Sequence, residues 1–142
     1  MILFDTGPIF AAATRNDQHY HQCAELFTSL RLAKRRLLLP STVAAEVGYL
    51  LMDRVGPAME TQFLYGVAQG DFEPVDLTAA DYERMAELNE QYEDLPLGTT
   101  DASVIALAER LNITEVATLD RRHFTAVRPQ HVDALTLLPE RL

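Results

Sequence analysis

The acidic residues with the clearest potential for chemistry stand at the borders of short apolar segments. Asp5 follows the apolar residues ILF and precedes Thr-Gly-Pro, whereas Asp120 ends the run that begins with VATL. Glu46 lies among valine and alanine residues, and Asp101 begins the apolar segment DASVIALAERL. Carboxylates that converge without a nearby lysine repel one another unless some are protonated or a cation neutralises them. Oxygen ligands favour Mg²⁺ or Mn²⁺, and such an ion can activate water for the hydrolysis of a phosphodiester.

Five short aliphatic segments must carry the elements that bring these acids together. They alternate with helical patterns, which predicts a three-layer α/β/α fold with a mainly parallel five-stranded sheet. Ser41 or Thr42 is expected to cap the second helix, which Gly56-Pro57 then ends, and Thr78 opens the fourth helix with a pattern close to a capping box. The predicted strands are residues 2–4, 36–40, 72–77, 115–119 and 134–138. The predicted helices lie within residues 19–35, 43–55, 58–68, 78–92 and 101–111.

The predicted topology places all four acids at one edge of the sheet. In a parallel α/β sheet the C-termini of the strands and the N-termini of the helices gather at the same edge. Asp5 and Asp120 follow strands, while Glu46 and Asp101 lie near helix starts, so we expect them to face one crevice. Each of three acids also has a structural explanation, because Asp5 and Asp120 could cap helices or turns and Asp101 suits a helix dipole. Glu46 fits no capping pattern, and the set together therefore favours a metal site.

The composition predicts an ordinary globular protein with one domain, residues 1–142. Hydrophobic residues make up 48% of the chain and charged residues 23%, which excludes the disordered class. Cys23 is the only cysteine, so an internal disulfide is excluded and a reducing compartment is expected. The apolar runs are too short to cross a bilayer, which predicts a cytoplasmic protein without membrane attachment. The net charge of −9 argues against a broad basic surface for nucleic acid, although acids that bind a cation can still face phosphate.

Two other chemistries are compatible with single motifs but not with the whole chain. The triplet DTG, residues 5–7, also occurs in aspartic proteases of the retroviral type, but those proteins are all-β and this chain is rich in predicted helix. A receiver-type phosphorelay domain shares the sheet architecture and the acids. It requires a lysine near the acidic pocket, however, and Lys34, the only lysine, precedes the second predicted strand.

Four motifs, in order along the chain, resemble the PIN-domain nucleases and most closely the VapC toxins of bacterial toxin–antitoxin pairs. They are DTGP, PSTVAAEV, LPLGTTDASVIALAERL and TLDRRHF. The resemblance implies a PIN-like fold, endoribonuclease activity that depends on Mg²⁺ or Mn²⁺, a homodimer, and inhibition by a small antitoxin. The acidic quartet of the family corresponds to Asp5, Glu46, Asp101 and Asp120, with Asp5 and Asp101 as the main metal ligands. An RNA-processing PIN nuclease without an antitoxin and a non-catalytic RNA-binding PIN module are the alternatives.

Hydroxyl and basic residues next to these motifs are weaker candidates for the site. Thr6 and Thr100 lie beside acids in sequence, where they could orient a ligand or a water molecule. His123, together with Arg121 and Arg122, could contact RNA phosphate, or the segment could be a tight turn with solvated charges.

The remaining chemical motifs are expected to have surface roles. His19 and His21 have a spacing that can bind a metal, but no third histidine lies nearby in sequence. Asp94 is expected to be solvated surface, whereas the arginine-rich segments 31–36 and 121–128 are equally compatible with solvated surface and with a functional role.

A partner surface is predicted on the two helices on either side of Gly56-Pro57. They carry more large apolar residues than one core-facing stripe requires: Tyr49, Leu50, Leu51, Met52, Met59, Phe63, Leu64 and Tyr65. Some of these should be exposed and form a groove for an amphipathic helix. The resemblance implies that the antitoxin supplies this helix and directs a basic side chain toward Asp5 and Asp101. Burial of the same face in a homodimer is the alternative.

Overall fold

The computed structural model describes all residues from Met1 to Leu142. The chain forms five strands and seven helices. The strands are β1 (Ile2–Phe4), β2 (Leu37–Pro40), β3 (Glu73–Val75), β4 (Glu115–Ala117) and β5 (Thr136–Leu138). The helices are α1 (Thr6–Ala13), α2 (Tyr20–Leu32), α3 (Ser41–Arg54), α4 (Pro57–Ala68), α5 (Ala79–Gln91), α6 (Gly98–Leu111) and α7 (Arg121–Ala126). No helix combines the length and the apolar character that crossing a membrane requires.

The five strands form one parallel sheet in the order β3-β2-β1-β4-β5. In the central strand β1, Leu3 lies opposite Leu38 of β2 and Val116 of β4. All four strand pairings are parallel, which confirms the predicted sheet. The chain builds the sheet outward from β1 to β3 and then returns to the other side of β1 with β4. The strand order therefore reverses between β1 and β4, which is where parallel α/β sheets bind their ligands.

Helices cover both faces of the sheet. Helix α1 packs against α2 and α3, and α3 packs against α4, whereas α5 packs on α6. Because crossovers between parallel strands are right-handed, the reversal of strand order places α1 to α4 on one face and α5 to α7 on the other. This arrangement confirms the predicted three-layer fold. On the face covered by α2 and α4, Phe4 stacks on Phe27 with ring centroids 4.9 Å apart and meets the edge of Phe72 at 5.6 Å.

Two predicted helix boundaries are confirmed and the predicted cap of α3 is wrong. Helices α1 and α7 were not among the predicted helices, and α6 begins three residues earlier than predicted, at Gly98. Thr78 forms a complete capping box with Asp81, and Gly56-Pro57 separates α3 from α4, as predicted. The prediction that Ser41 or Thr42 caps α3 is wrong, because both residues lie inside the helix and Pro40 occupies the N-cap position. The hydroxyl of Thr42 is instead used in a tertiary hydrogen bond to α6.

Candidate functional site

A cleft of about 380 Å³ contains all four predicted acids, next to the point where the strand order reverses. Asp5 follows β1 and Asp120 lies beyond the end of β4, so these two flank the reversal. Glu46 lies in the second turn of α3, and Asp101 lies in the first turn of α6. The other lining residues are Thr6, Gly7, Phe10, Asp17, Leu50, Arg54 and Leu119. The acids that the sequence singled out are thus brought together by four different elements.

Asp5 is almost completely buried, with 6% of its surface exposed. Its carboxylate accepts a hydrogen bond of 2.8 Å from the hydroxyl of Thr118. Burial raises the pKa of Asp5, and the nearby carboxylates of Glu46 and Asp120 raise it further, against the opposing effect of hydrogen bonds from Thr118 and the Thr6 backbone. Asp5 occupies the N-cap position of α1 but makes no capping hydrogen bond. The capping role considered from the sequence is therefore not the role of its side chain.

Gly7 allows the turns that carry Asp5 and Asp120 to approach each other closely. A Cβ atom at residue 7 would lie 3.2 to 3.3 Å from three side-chain atoms of Leu119. This is tighter than ordinary van der Waals contact, so the missing side chain lets the turn after β1 pack against the turn after β4. Backbone packing thereby contributes to the closeness of the two acids.

Glu46 is oriented by a hydroxyl group from α6. The Thr100 hydroxyl donates to Glu46 Oε2 at 2.6 Å. A second hydrogen bond, of 2.6 Å between the hydroxyls of Thr42 and Ser103, joins the same two helices. These contacts fix the start of α3 against the start of α6. Thr100, which its position in the sequence suggested as an orienting residue, therefore orients Glu46.

The imidazole ring of His123 lies between the other two carboxylates. Its Nδ1 atom is 2.6 Å from Asp101 Oδ2 and 2.9 Å from Asp120 Oδ2. Asp120 also caps α7, because its carboxylate accepts a hydrogen bond of 3.1 Å from the backbone amide of His123. The tight turn considered from the sequence is therefore a short helix, and its histidine ring faces the acids.

Asp101 carries a strongly perturbed carboxyl group. Burial raises its pKa to about 7, the charges of Asp5 and Asp120 contribute to the increase, and the hydrogen bond with His123 opposes it. Near neutral pH the metal-free site therefore binds protons that an isolated carboxylate in water would release. A cation bound among these groups would favour the ionised forms.

The donor groups of the cleft fit a hard divalent cation. Carboxylate oxygens of Asp101 and Asp120 and a ring nitrogen of His123 all lie within 4.8 Å of one another. The hydroxyl of Thr6 is buried in the same cleft and has no hydrogen-bond partner. Such a hydroxyl costs free energy unless another group satisfies it, and the hydration water of a bound cation could do so. Two members of the predicted acidic quartet, Asp101 and Asp120, therefore belong to a group that could hold a cation, together with His123 and without Asp5 and Glu46.

The other sequence candidates do not join the acidic site. His19 and His21 belong to no group of three residues that could hold a metal. Arg121 donates a hydrogen bond to the carbonyl of Pro139. Asp94 is exposed and does not line the cleft, in agreement with the surface role expected from the sequence.

Three residues of the site were not predicted from the sequence. Asp17 lies in the cleft lining, from the connection between α1 and α2, and no pattern pointed to it. Thr118 lies between β4 and Asp120, and its partner Asp5 is distant in sequence. Arg54 also lines the cleft. It could have been found, because its spacing of eight residues from Glu46 places the two on one face of a helix.

The predicted apolar surface of α3 and α4 is partly exposed. Its exposed members, here called the α3–α4 apolar face, are Tyr49, Met52, Val55, Leu64 and Tyr65. Leu51 is instead buried, and Phe63 is half-buried with its ring centroid 6.5 Å from that of Phe72. Of the eight residues predicted for this surface, four are therefore exposed, and Val55 adds a fifth that was not predicted.

Comparisons with known proteins identify relatives over nearly the whole chain. Residues 2–128 match the family profile described as PIN domain. Ribonuclease VapC26 of Mycobacterium tuberculosis is 37% identical over 138 residues, which cover 97% of this chain and 100% of the relative. The crystal structure of Mycobacterium tuberculosis VapC20, a toxin that cleaves the sarcin–ricin loop, matches with a TM-score of 0.79 at 18% identity, over 94% of this chain and 99% of that chain. VapBC2 from Rickettsia felis, bound to a promoter DNA fragment, matches with a TM-score of 0.68 at 20% identity, over 96% of this chain and 97% of that chain.

Proposed function

Because the chain belongs to the PIN-domain family, we propose that it is a Mg²⁺-dependent endoribonuclease and the toxin of a type II toxin–antitoxin pair. The observation that carries this proposal is the convergence of Asp5, Glu46, Asp101 and Asp120 beside the reversal of strand order. The relative with 37% identity is named a ribonuclease, which supports RNA as the substrate.

The supporting side chains hold the acids in a fixed arrangement. Thr118 orients Asp5, Thr100 orients Glu46, and His123 holds the other two acids. Asp5, Glu46, Asp101 and Asp120 would hold a divalent cation, which would lower the pKa of a water molecule and polarise the phosphoryl group. In the hydrolysis, water adds to the phosphorus of one phosphodiester and a P–O bond breaks. The products are a phosphate monoester and a hydroxyl group on the leaving ribose oxygen, which takes up a proton.

We expect the purified protein, freed of any partner, to cut RNA at a limited number of positions in the presence of Mg²⁺. Cellular RNA is incubated with the protein, and new 5′ ends are mapped by sequencing. Discrete new ends support an endonuclease and identify its cleavage sites. RNA that is bound but stays intact would contradict the proposal and favour the non-catalytic RNA-binding alternative.

The role as a toxin is tested separately from cleavage. Induced expression is expected to arrest growth, and co-expression of a small protein from an adjacent reading frame is expected to relieve the arrest. RNA cleavage without growth arrest would instead favour an RNA-processing nuclease.

We further propose that the α3–α4 apolar face binds a helix of this antitoxin. An exposed face that carries two tyrosines, Tyr49 and Tyr65, suits the apolar side of an amphipathic helix. Helix α3 contributes both to this face and to the acidic cleft, through Glu46. We therefore expect a partner on this face to direct a basic side chain toward the acids. The neighbouring negative charge favours such a side chain.

Replacing Tyr65 by Glu is expected to weaken inhibition by the antitoxin at least about tenfold and to change RNA cleavage by less than about twofold. Tyr65 is 65% exposed, so the fold tolerates a charge there, whereas a partner helix would have to bury it. Phe63 is less suitable for this test, because it packs near Phe72. Inhibition is measured by titrating the antitoxin into the cleavage assay.

Tyr82→Glu is the matched control, because Tyr82 is 57% exposed on α5, away from the α3–α4 apolar face. Equal inhibition of the Tyr65→Glu variant and the wild type would show that the antitoxin binds elsewhere. Sedimentation of both variants tests the alternative occupant. Loss of a dimer in Tyr65→Glu with unchanged antitoxin affinity would assign the face to a homodimer.

A further inference from the structure

The acidic cleft is lined by a single basic side chain, that of Arg54. This residue is exposed at the end of α3 and takes part in no ion pair. Four other arginines each pair with a carboxylate, namely Arg35, Arg36, Arg84 and Arg110. The guanidinium of Arg54 therefore keeps its donors available in a cleft where five of the lining residues are acidic.

Two features of the structure direct Arg54 into the cleft. Glu46, Leu50 and Arg54 follow one another at intervals of four residues, so they lie along one face of α3, and all three line the cleft. Arg54 is about 12 Å along the helix from Glu46 at 1.5 Å per residue. Its guanidinium carbon also lies over the ring of Phe10 in α1, 5.6 Å from the ring centroid. The aromatic ring holds the planar cation at the border of the cleft.

We propose that Arg54 binds a backbone phosphate of the RNA strand next to the one that is cleaved, and that Phe10 is the positioning residue for its guanidinium. The inference rests on the proposed function, because it takes RNA as the substrate. A chain of net charge −9 with an acidic cleft repels a polyanion wherever no cation faces it. The metal site serves the phosphate that reacts, but the neighbouring phosphates of the strand need a separate partner. A guanidinium, which can donate two parallel hydrogen bonds to phosphate, fits this task.

Arg31 provides an internal comparison with the same local geometry in a different place. Its guanidinium carbon lies 5.4 Å from the ring centroid of Phe27. It lines a separate cavity beside the start of β2, together with Lys34, and not the acidic cleft. If the loss of any arginine that lies over an aromatic ring changes RNA cleavage, both variants should be affected equally. If the arginine contacts the substrate, only the Arg54 variant should be affected.

The kinetic test compares Arg54→Ala with Arg31→Ala in a cleavage assay on one RNA oligonucleotide with excess Mg²⁺. Arg54→Ala is expected to raise KM about tenfold and to leave kcat within about twofold, because the contact is made outside the reacting phosphate. The slope of log(kcat/KM) against log salt concentration should become less negative by about 0.7, as for the loss of one phosphate contact to a single strand. Arg31→Ala should change neither quantity.

Two further variants test the role of the ring. Phe10→Leu keeps an apolar side chain but removes the aromatic face, and it should raise KM about threefold while Arg54 is still present. Arg54→Lys keeps the charge but loses the planar stacking, so it should retain the wild-type salt slope with an intermediate KM. If Phe10→Leu does not raise KM further in the Arg54→Ala background, the ring acts through the arginine. Equal effects in both backgrounds would contradict the positioning role.

Binding measurements separate this inference from the proposed function. The affinity for a single-stranded RNA oligonucleotide is measured in the Asp101→Asn background with Mg²⁺, with and without Arg54→Ala. A loss of about tenfold in affinity supports the phosphate contact even if the wild-type protein proves unable to cleave RNA. If the wild type cleaves RNA and Arg54→Ala changes neither KM, salt slope nor affinity, the inference is wrong while the ribonuclease assignment stands.

Discussion

Replacing Asp101 by Asn is expected to lower RNA cleavage at least about 100-fold, since loss of a partner that merely orients a metal ligand already costs roughly 10- to 100-fold. The substitution keeps the size of the side chain but removes an anionic oxygen ligand from the centre of the cleft. Asp101 lies against His123 and is close enough to Asp5 and Asp120 for their charges to raise its pKa. Cleavage is measured at saturating Mg²⁺, and Asp5→Asn is expected to behave in the same way.

The same variant should change how the stability of the metal-free protein depends on pH. The pKa of Asp101 is raised to about 7 in the folded protein, so between about pH 4 and pH 7 the folded state binds more protons than the unfolded state. The free energy of unfolding of the wild type should therefore fall as pH rises through this range, by on the order of 2 kcal/mol. The asparagine side chain of the Asp101→Asn variant cannot titrate, so the variant should lose less stability, although the raised pKa of Asp5 should still contribute.

Asp94→Asn is the matched control, because it makes the same chemical change at an exposed acid outside the cleft. Its cleavage rate and its pH dependence of stability should equal those of the wild type. Near-wild-type turnover by Asp101→Asn would show that the catalytic site has been misplaced. Chemical denaturation at pH 5 and pH 8, in buffer with a chelator, measures the stability difference.

Removing divalent cations is expected to abolish RNA cleavage in the wild-type protein, and Mg²⁺ or Mn²⁺ is expected to restore it. The cleft offers carboxylate oxygens, and its only basic side chain, Arg54, lies at its border. The acids therefore have no fixed cation beside them that could activate water or neutralise a phosphoryl oxygen at the reacting centre. Cleavage is followed after dialysis against a chelator and then as cation is added back at constant ionic strength. Undiminished cleavage in the chelator would contradict the metal site.

A measurement without RNA checks the same prediction independently. A cation that binds only the folded state stabilises it by RT ln(1 + [L]/Kd), which is about 2.7 kcal/mol at a concentration 100 times Kd. Mg²⁺ should therefore raise the melting temperature of the wild type, and it should raise that of Asp101→Asn much less. Equal stabilisation of both proteins would mean that the ion binds elsewhere.

The fold was predictable because local patterns and packing agree along most of the chain. Strands β1 and β2 are aliphatic runs that are completely buried in the sheet, and a run such as LLLP, residues 37–40, has no other reasonable place than the interior. The ends of the elements were less predictable. Thr42 looked like a cap, but its hydroxyl is used by Ser103, 61 residues further along the chain. Such a choice depends on which helices pack together, and a local pattern does not contain that information.

The acids of the site could be found from the sequence. Of the residues that hydrogen-bond to them, Thr100 was suggested by its position, but the roles of Thr118 and His123 could not be predicted. The rule that strand ends and helix starts share one edge was enough to bring Asp5 and Asp101 together. His123 and Thr118 were not assigned their partners, because each bonds an acid from a distant segment. Arg54 was missed for a different reason. An exposed arginine at the end of a helix usually has no specific role, so its spacing from Glu46 was the only sequence signal for it and was not used.

The position of β1 has a consequence for the time at which the protein can become active. This strand is the first of the five to be synthesised, yet it lies in the middle of the sheet and pairs with β4. The hydrogen bond from Thr118 to Asp5 joins residues 113 positions apart. Closing so long a loop costs entropy, and contacts of this kind form slowly. A chain still on the ribosome before β4 has emerged lacks both the support of Asp5 and the carboxylate of Asp120. Under the proposed function, the topology therefore withholds nuclease activity until β4 and Asp120 have been synthesised, and chains that terminate before β4 are harmless to the RNA around them.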